Sequence, residues 1–305
     1  MTTSSHVPPK LASFQEEPQQ LPSGVVGKNA FLRLGFERRG ERTVLAHLDR
    51  RAPLLVQQAL YWDEALPDLP CVFIITTTGS ILQGDRFNIE IELAPDTRAH
   101  VTTQAATKIH SMDANYAAQT QNIVLDENAY LEYLPDPVIP HAHARFITTT
   151  HIRMPSSATL LYSEIMMGGR KYHGEGELFE YDFFSSTVQA KRPDGAELFT
   201  EKFVIEPHAQ NVRQVGVMGT FDVFANVLLL TPKQHADTVF EQVPAVVNVE
   251  EQWAAGVSRL PNNAGLVFKV LGQETESVQA KVREFWAIVR QSVTGATVLP
   301  KFVWR

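Results

Sequence analysis

The sequence predicts a mainly β protein, and three observations carry that reading. Apolar and polar residues alternate with a period of two in many short segments, turn-forming clusters separate those segments, and helical periodicity is convincing in one place only. The clearest alternation is "RFNIEIEL", where Phe87, Ile89, Ile91 and Leu93 fall on one side and Asn88, Glu90 and Glu92 on the other. Only an extended chain, with successive side chains on opposite faces, separates those two sets.

Strands are predicted in order along the chain. "FLRLGFER", "CVFIITTT", "RFNIEIEL" and "AHVTTQ" come first, followed by "QNIVL", "AYLEYL", "RFITTTHIRM" and "ATLLYSEIMM", then "LFTEKFVIE", "FANVLLL" and "GLVFKVL". Gly-Asp, Pro-Asp, Asn-Asn and Asp-Glu-Asn provide the turns between them. The one strong helix is "ETESVQAKVREFWAIVRQSV", in which Val278, Val282, Phe285, Val289 and Val293 recur at three- and four-residue spacing. Glu274 and Glu276 stand at its start, where the helix dipole favours acid. "PKQHADTVFEQV" admits a second, shorter helix.

Residues 1–24 contain four prolines and no apolar core of a secretory signal, so they read as a disordered N-terminal tail. With no internal repeat and no linker after Gly24, residues 25–305 read as one β domain. The 34 acidic against 27 basic side chains give a formal charge of −7. That balance argues against nucleic-acid or anionic-membrane binding, which needs clustered positive charge. Cys71 is the only cysteine, which rules out an intramolecular disulfide and a thiolate cage. No run approaches the ~18–20 apolar residues of a spanning helix. A cytosolic protein is expected.

Each candidate chemistry has a bland counterpart. Gly79 and Gly84 in "TTTGSILQGDRF" have the glycine spacing of a phosphate loop, but Asp85 and Arg86 stand where lysine and a hydroxyl are needed, and an acid there repels phosphate. His141 and His143 form an H-x-H pair that on a strand would aim both imidazoles one way, and His100, His110, His151 and His173 lie near in sequence. Imidazole suits nickel or zinc. A metal-dependent hydrolase built around His141 and His143 is therefore the alternative reading, although Pro140 and the preceding "PDPVIP" work against a regular strand. Among acids, Asp85, Glu164, Glu175, Glu177 and Glu201 are candidates for acid–base work or for oxygen ligation. Glu164 interrupts the apolar run "LLYSEIMM", where an unpaired buried carboxylate costs several kcal/mol. Glu201 is similarly set in "ELFTEKFVIE", and Lys202 beside it points to the other face of a strand. No G-x-S-x-G elbow is present, and Cys71 in "PCVFII" reads as a core thiol.

Taken in order, "TTTGSILQGDRF", "TTQAATKIHSMDANYAAQTQ", "YLPDPVIPHAHARF", "GRKYHGEGE" and "LPKFVWR" resemble the urease accessory proteins of the UreD family, also called UreH. The resemblance covers residues 24–305. It implies a largely β, β-helix-like fold with about two helices, one near the C-terminus, and a non-enzymatic assembly factor. Such proteins act with UreF and the GTPase UreG on the urease apoprotein, enabling nickel delivery to an active site whose lysine is carbamylated. The implied passage for nickel places Asp85, Thr107, Glu164 and Glu201 along its lining. No tightly bound cofactor is implied, only nickel in transit. Carboxylates and a hydroxyl hold nickel more loosely than imidazole or thiolate would, as a conduit requires. The chain departs from many relatives in having Ser80 and Gln83 where they have glycine, and a side chain at either position restricts positive φ.

Overall fold

The computed structural model describes residues 7–16 and 26–299. In chain order the strands are β1 (Asn29–Arg39), β2 (Arg42–Arg51), β3 (Leu54–Leu55), β4 (Cys71–Thr76), β5 (Arg86–Leu93) and β6 (Arg98–Thr103). There follow β7 (Thr107–Ile109), β8 (Ala117–Leu125), β9 (Tyr130–Tyr133), β10 (Val138–Pro140), β11 (Arg145–Arg153) and β12 (Thr159–Met167). The last are β13 (Phe183–Lys191), β14 (Glu197–Ile205), β15 (Val223–Leu230), β16 (Val246–Asn248), β17 (Trp253–Arg259) and β18 (Gly265–Gly272). Two α-helices accompany them, α1 (Lys233–Gln242) and α2 (Thr275–Thr294). Every predicted strand and both predicted helices are found.

Two sheets hold these strands. The first has the order β14-β13-β11-β8-β5-β1-β2, and the second β16-β17-β18-β15-β12-β9-β6-β4-β3, with β7 and β10 attached beside β12. From β4 to β13 the chain passes back and forth between them. Strands β4, β6, β9 and β12 pair in parallel within the second sheet. Strands β5, β8, β11 and β13 do so within the first. This is the β-helix-like winding. Antiparallel strands complete both sheets, with β2 and β14 at the edges of the first.

Alternation decides what each strand buries. One apolar cluster joins Ile89 and Ile91 of β5, Phe146 of β11 and Phe184 of β13 to Val101 of β6, Leu131 of β9 and Leu160 of β12, so the main core lies between the sheets. The intervening residues of the second sheet, including Leu161, Ile165, Val227 and Leu229, meet Val278, Val282, Phe285 and Val289 of α2. A sheet covered on both faces explains why "FANVLLL" is apolar at every position but Asn226. Helix α2 ends at Gly295, whose φ of 72° is a left-handed stop that glycine supplies at little cost.

Among the strands not foreseen, β13 buries Ser185 and Ser186, and in β2 half of the residues beyond Thr43 are exposed, so neither shows clean alternation. Of the segment read as a disordered tail, residues 1–6 and 17–24 lie outside the described residues. Residues 7–16 rest on the first sheet. Leu11 is buried against Tyr116 and Phe183, and the Arg145 guanidinium stacks 3.8 Å over Phe14. Of the closing "LPKFVWR", only Leu299 is described. No helix among the described residues is long and apolar enough to cross a membrane.

Candidate functional site

A cavity of about 280 Å³ opens between the sheets. Its rim is exposed at Gly79, Gln104, Ala105 and Lys108, and its inner wall includes Gln121, Tyr133, Tyr162 and Glu164. The segment after β4 forms part of the wall as it crosses to β5, so "TTTGSILQGDRF" is a crossover between sheets. Ser80 lies there with φ 136°, a conformation that side chains rarely adopt. The departure from glycine at this position is accommodated with strain. Gln83 keeps a negative φ, and Gly79 and Gly84 take the positive values.

Two of the four expected lining residues meet at this cavity. Thr107, on β7, and Glu164, on β12, both line it. Glu164 Oε1 accepts hydrogen bonds from Ser186 at 2.7 Å and Tyr162 at 3.1 Å, whereas Oε2 is buried with no partner. Burial pushes the Glu164 carboxyl above its ordinary pKa. The Ser186 and Tyr162 bonds oppose that shift, as does the Asn226 side chain, and the nearby Glu201 charge adds to it. A chain of bonds leads back from Tyr162. Gln121 Nε2 donates to the Tyr162 hydroxyl at 3.2 Å, and the Tyr133 hydroxyl donates to Gln121 Oε1 at 2.6 Å.

Glu201 is not part of the cavity wall but lies just past it. Asn226 Nδ2 donates to Glu201 Oε2 at 2.9 Å, and Lys269 Nζ donates to Oε1 at 2.6 Å. Asn226 pairs directly with Glu164 across β12 and β15. Polar groups therefore succeed one another from the cavity rim to Lys269 at the surface. Asn226 went unread in the sequence although it interrupts "FANVLLL" as Glu164 interrupts "LLYSEIMM". The same signal was there.

Asp85 stands apart. It is fully buried, and its two oxygens accept backbone N–H bonds from Lys28 and Leu82, each at 2.8 Å. Burial raises its pKa against those two bonds. This carboxylate ties the start of β1 to the crossover and does not line the cavity.

The His141 and His143 pair does not converge. His141 and His143 lie in a turn before β11, and His143 takes φ 61°. His143 Nδ1 is 3.2 Å from Asp182 on the outside, while His141 is buried edge-on to His110, with ring centres 4.8 Å apart. Burial, with Arg170 nearby, drives the His141 pKa down to about 4. No group of three His, Cys, Asp or Glu among the described residues could hold a metal ion. Glu177 is held by Arg170, with Arg170 Nε donating at 2.8 Å, and its Oε2 also accepts the Ala142 N–H. Glu175 is exposed at the loop tip. Cys71 is a buried core thiol, as read.

A second buried polar cluster lies under α2 and was not foreseen. Arg290 grips Glu132 with two bonds, of 2.8 and 2.7 Å, and also bonds Asp63. Glu132 accepts a further bond from Tyr130 at 2.7 Å and sits 2.8 Å from His100 Nδ1. Burial alone would raise the Glu132 pKa, but the Arg290 and His100 bonds outweigh it and hold the carboxyl well below the usual range.

The family model described as "UreD urease accessory protein" matches residues 28–305. The chain belongs to the UreD family. It is 60% identical over 295 residues to a Brucella suis protein named urease accessory protein UreD 2, covering 97% of this chain and 98% of that protein. It is 54% and 51% identical to urease accessory proteins UreD of Photorhabdus laumondii and Yersinia pseudotuberculosis, each over 297 residues covering 97% of this chain and 92% of the relative. Of the motifs quoted above, Gly169 and Arg170 of "GRKYHGEGE" pack against and pin Glu177, and the "TTTGSILQGDRF" crossover walls the cavity.

Proposed function

We propose that this protein is a non-catalytic urease maturation factor that binds the urease apoprotein together with UreF and the GTPase UreG, in the cytosol, and passes nickel toward the urease active site. The observation that carries the proposal is Glu164, a carboxylate on a cavity wall with one oxygen bonded and the other buried and unpartnered. A buried acceptor without a donor is costly unless water or a cation meets it. Thr107 supplies a hydroxyl near the rim, Glu164 the inner carboxylate, and Glu201 the carboxylate nearest the outside, with nickel as cargo. Asp85 serves the passage by holding the crossover that forms its wall. Oxygen donors bind nickel loosely, so an ion can move on.

Co-expressing urease subunits, UreF and UreG with and without this chain tests the reading. Nickel content and urease activity are expected to depend on the chain. Removing Asp85, Glu164 and Glu201 together is expected to leave urease nickel-poor, and full activation by that variant would dispose of the passage.

A further inference from the structure

The outer face of the first sheet carries a seat that residues 7–16 occupy. Ala118 pairs with Ile147, and Arg145 with Phe183, while the alternate residues Ala117, Phe146 and Phe184 turn into the core. On the outer side, Leu11 is buried to 2% exposure against Tyr116 and Phe183, with Val7 and Phe14 packed beside it. Val7, Leu11 and Phe14 stand at positions i, i+4 and i+7 of "VPPKLASF". Anchors at that spacing are how short segments commonly dock into a groove. Pro8 and Pro9 stiffen the approach to the turn Pro9–Leu11. Each polar end is also met. Lys10 bonds Glu206, Phe14 lies under the Arg145 guanidinium, and Asn115 Nδ2 donates to the Glu16 carbonyl.

The seat does not depend on its occupant. The segment joins the sheet through one isolated bridge, Gln15 with Asn115, and its turn is closed by local bonds such as Leu11 N–H to the Pro8 carbonyl. Arg145 is fixed from below by Asp182 at 2.6 Å and by the Met112 carbonyl at 2.9 Å, so the platform under Phe14 stays when Phe14 leaves. The Lys10 side chain is 61% exposed, which makes its ion pair a weak tie. The fit is also incomplete. A cavity of about 310 Å³ remains around Leu11, Phe14, Arg145, Phe183, Glu206 and His208, and Arg145 Nε is buried there without a partner. A close-packed interior leaves no such space, so a bulkier segment with an acceptor for that N–H fits better.

We propose that this seat is a docking groove for a short segment of a partner protein, and that residues 7–16 are its exchangeable placeholder. The groove selects a lysine for Glu206, an aliphatic side chain one residue on for Tyr116 and Phe183, and an aromatic three residues further for Arg145. Until a partner arrives, the placeholder keeps this apolar face out of water. The inference does not rest on the passage reading.

A fluorescently labelled peptide of residues 7–16, added to the full chain and followed by anisotropy, tests this. Wild type is expected to bind it weakly, because the tethered copy competes. Leu11→Asp in the full chain unseats the placeholder and leaves the groove intact, so it is expected to bind the peptide about thirtyfold more tightly, the scale of one buried leucine. Phe14→Ala is expected to act in the same direction, and thermal melts verify that both fold. A peptide carrying the Leu11→Asp change is expected not to bind either protein. Equal affinity of wild type and both variants, or no binding to the folded variants, would overturn the groove. A wild-type dimer in sedimentation that Leu11→Asp abolishes would place the segment on a second copy and overturn the placeholder role.

Discussion

Glu164 shows how a single side chain can be legible in a sequence before its surroundings are. An acid inside "LLYSEIMM" demands an explanation, and the structure supplies a cavity, two hydroxyl donors and an unsatisfied oxygen. Its raised pKa has a consequence for stability. The folded state disfavours the charged form, so the cost is present above the folded pKa and absent below the unfolded value of about 4.3. Glu164→Gln is therefore expected to stabilise the fold near neutral pH, and the gain should vanish as pH falls into the carboxylate range. Urea denaturation of both proteins across that pH range measures it. Asp85 was legible only as an acid in need of a partner. Which partner it has depends on two backbone N–H groups, of Lys28 and Leu82, that no side-chain pattern announces.

At the scale of elements, helix α2 is the most informative. Its apolar stripe was readable from spacing, and those side chains do pack on the second sheet. Arg290 was not readable, because arginine on an amphipathic helix ordinarily faces water, and only the fold brings Glu132 and Asp63 beneath it. Arg290→Met leaves Glu132 buried without its main partner and is expected to cost about 3–5 kcal/mol at pH 7 in urea denaturation. Glu132 has a depressed pKa, so its contribution is complete above the ordinary carboxylate value and is lost as pH falls through and below it. Glu132→Gln is expected to remove that part of the acid sensitivity. The loop between β12 and β13 turns on Gly169, at φ 145°, where an added Cβ would lie 2.1 Å from the Glu177 carbonyl oxygen. Gly169→Ala is expected to lower stability by about 3 kcal/mol, seen as a reduced melting temperature.

For the molecule as a whole, the strand-rich class came from period-two alternation, turn clusters and the scarcity of helical periodicity, while the β-helix-like winding came from the family resemblance. Alternation specifies which face a residue takes and says nothing about which sheet a strand joins. The back-and-forth path from β4 to β13 is therefore invisible residue by residue, and so is the juxtaposition of Glu164 with Asn226 and Glu201 from distant strands. The same layering places "FANVLLL" and the apolar stripe of α2 in the core. On the proposed function, the interior line of oxygen donors is the feature to test. Nickel bound per urease active site, after co-expression with UreF, UreG and either this chain or its Glu164→Ala/Glu201→Ala variant, tests that claim most directly, with capture of the assembled complex followed in parallel. The account predicts that the variant assembles normally and leaves urease nickel-poor and weakly active. Fully nickel-loaded urease from the variant complex would contradict it.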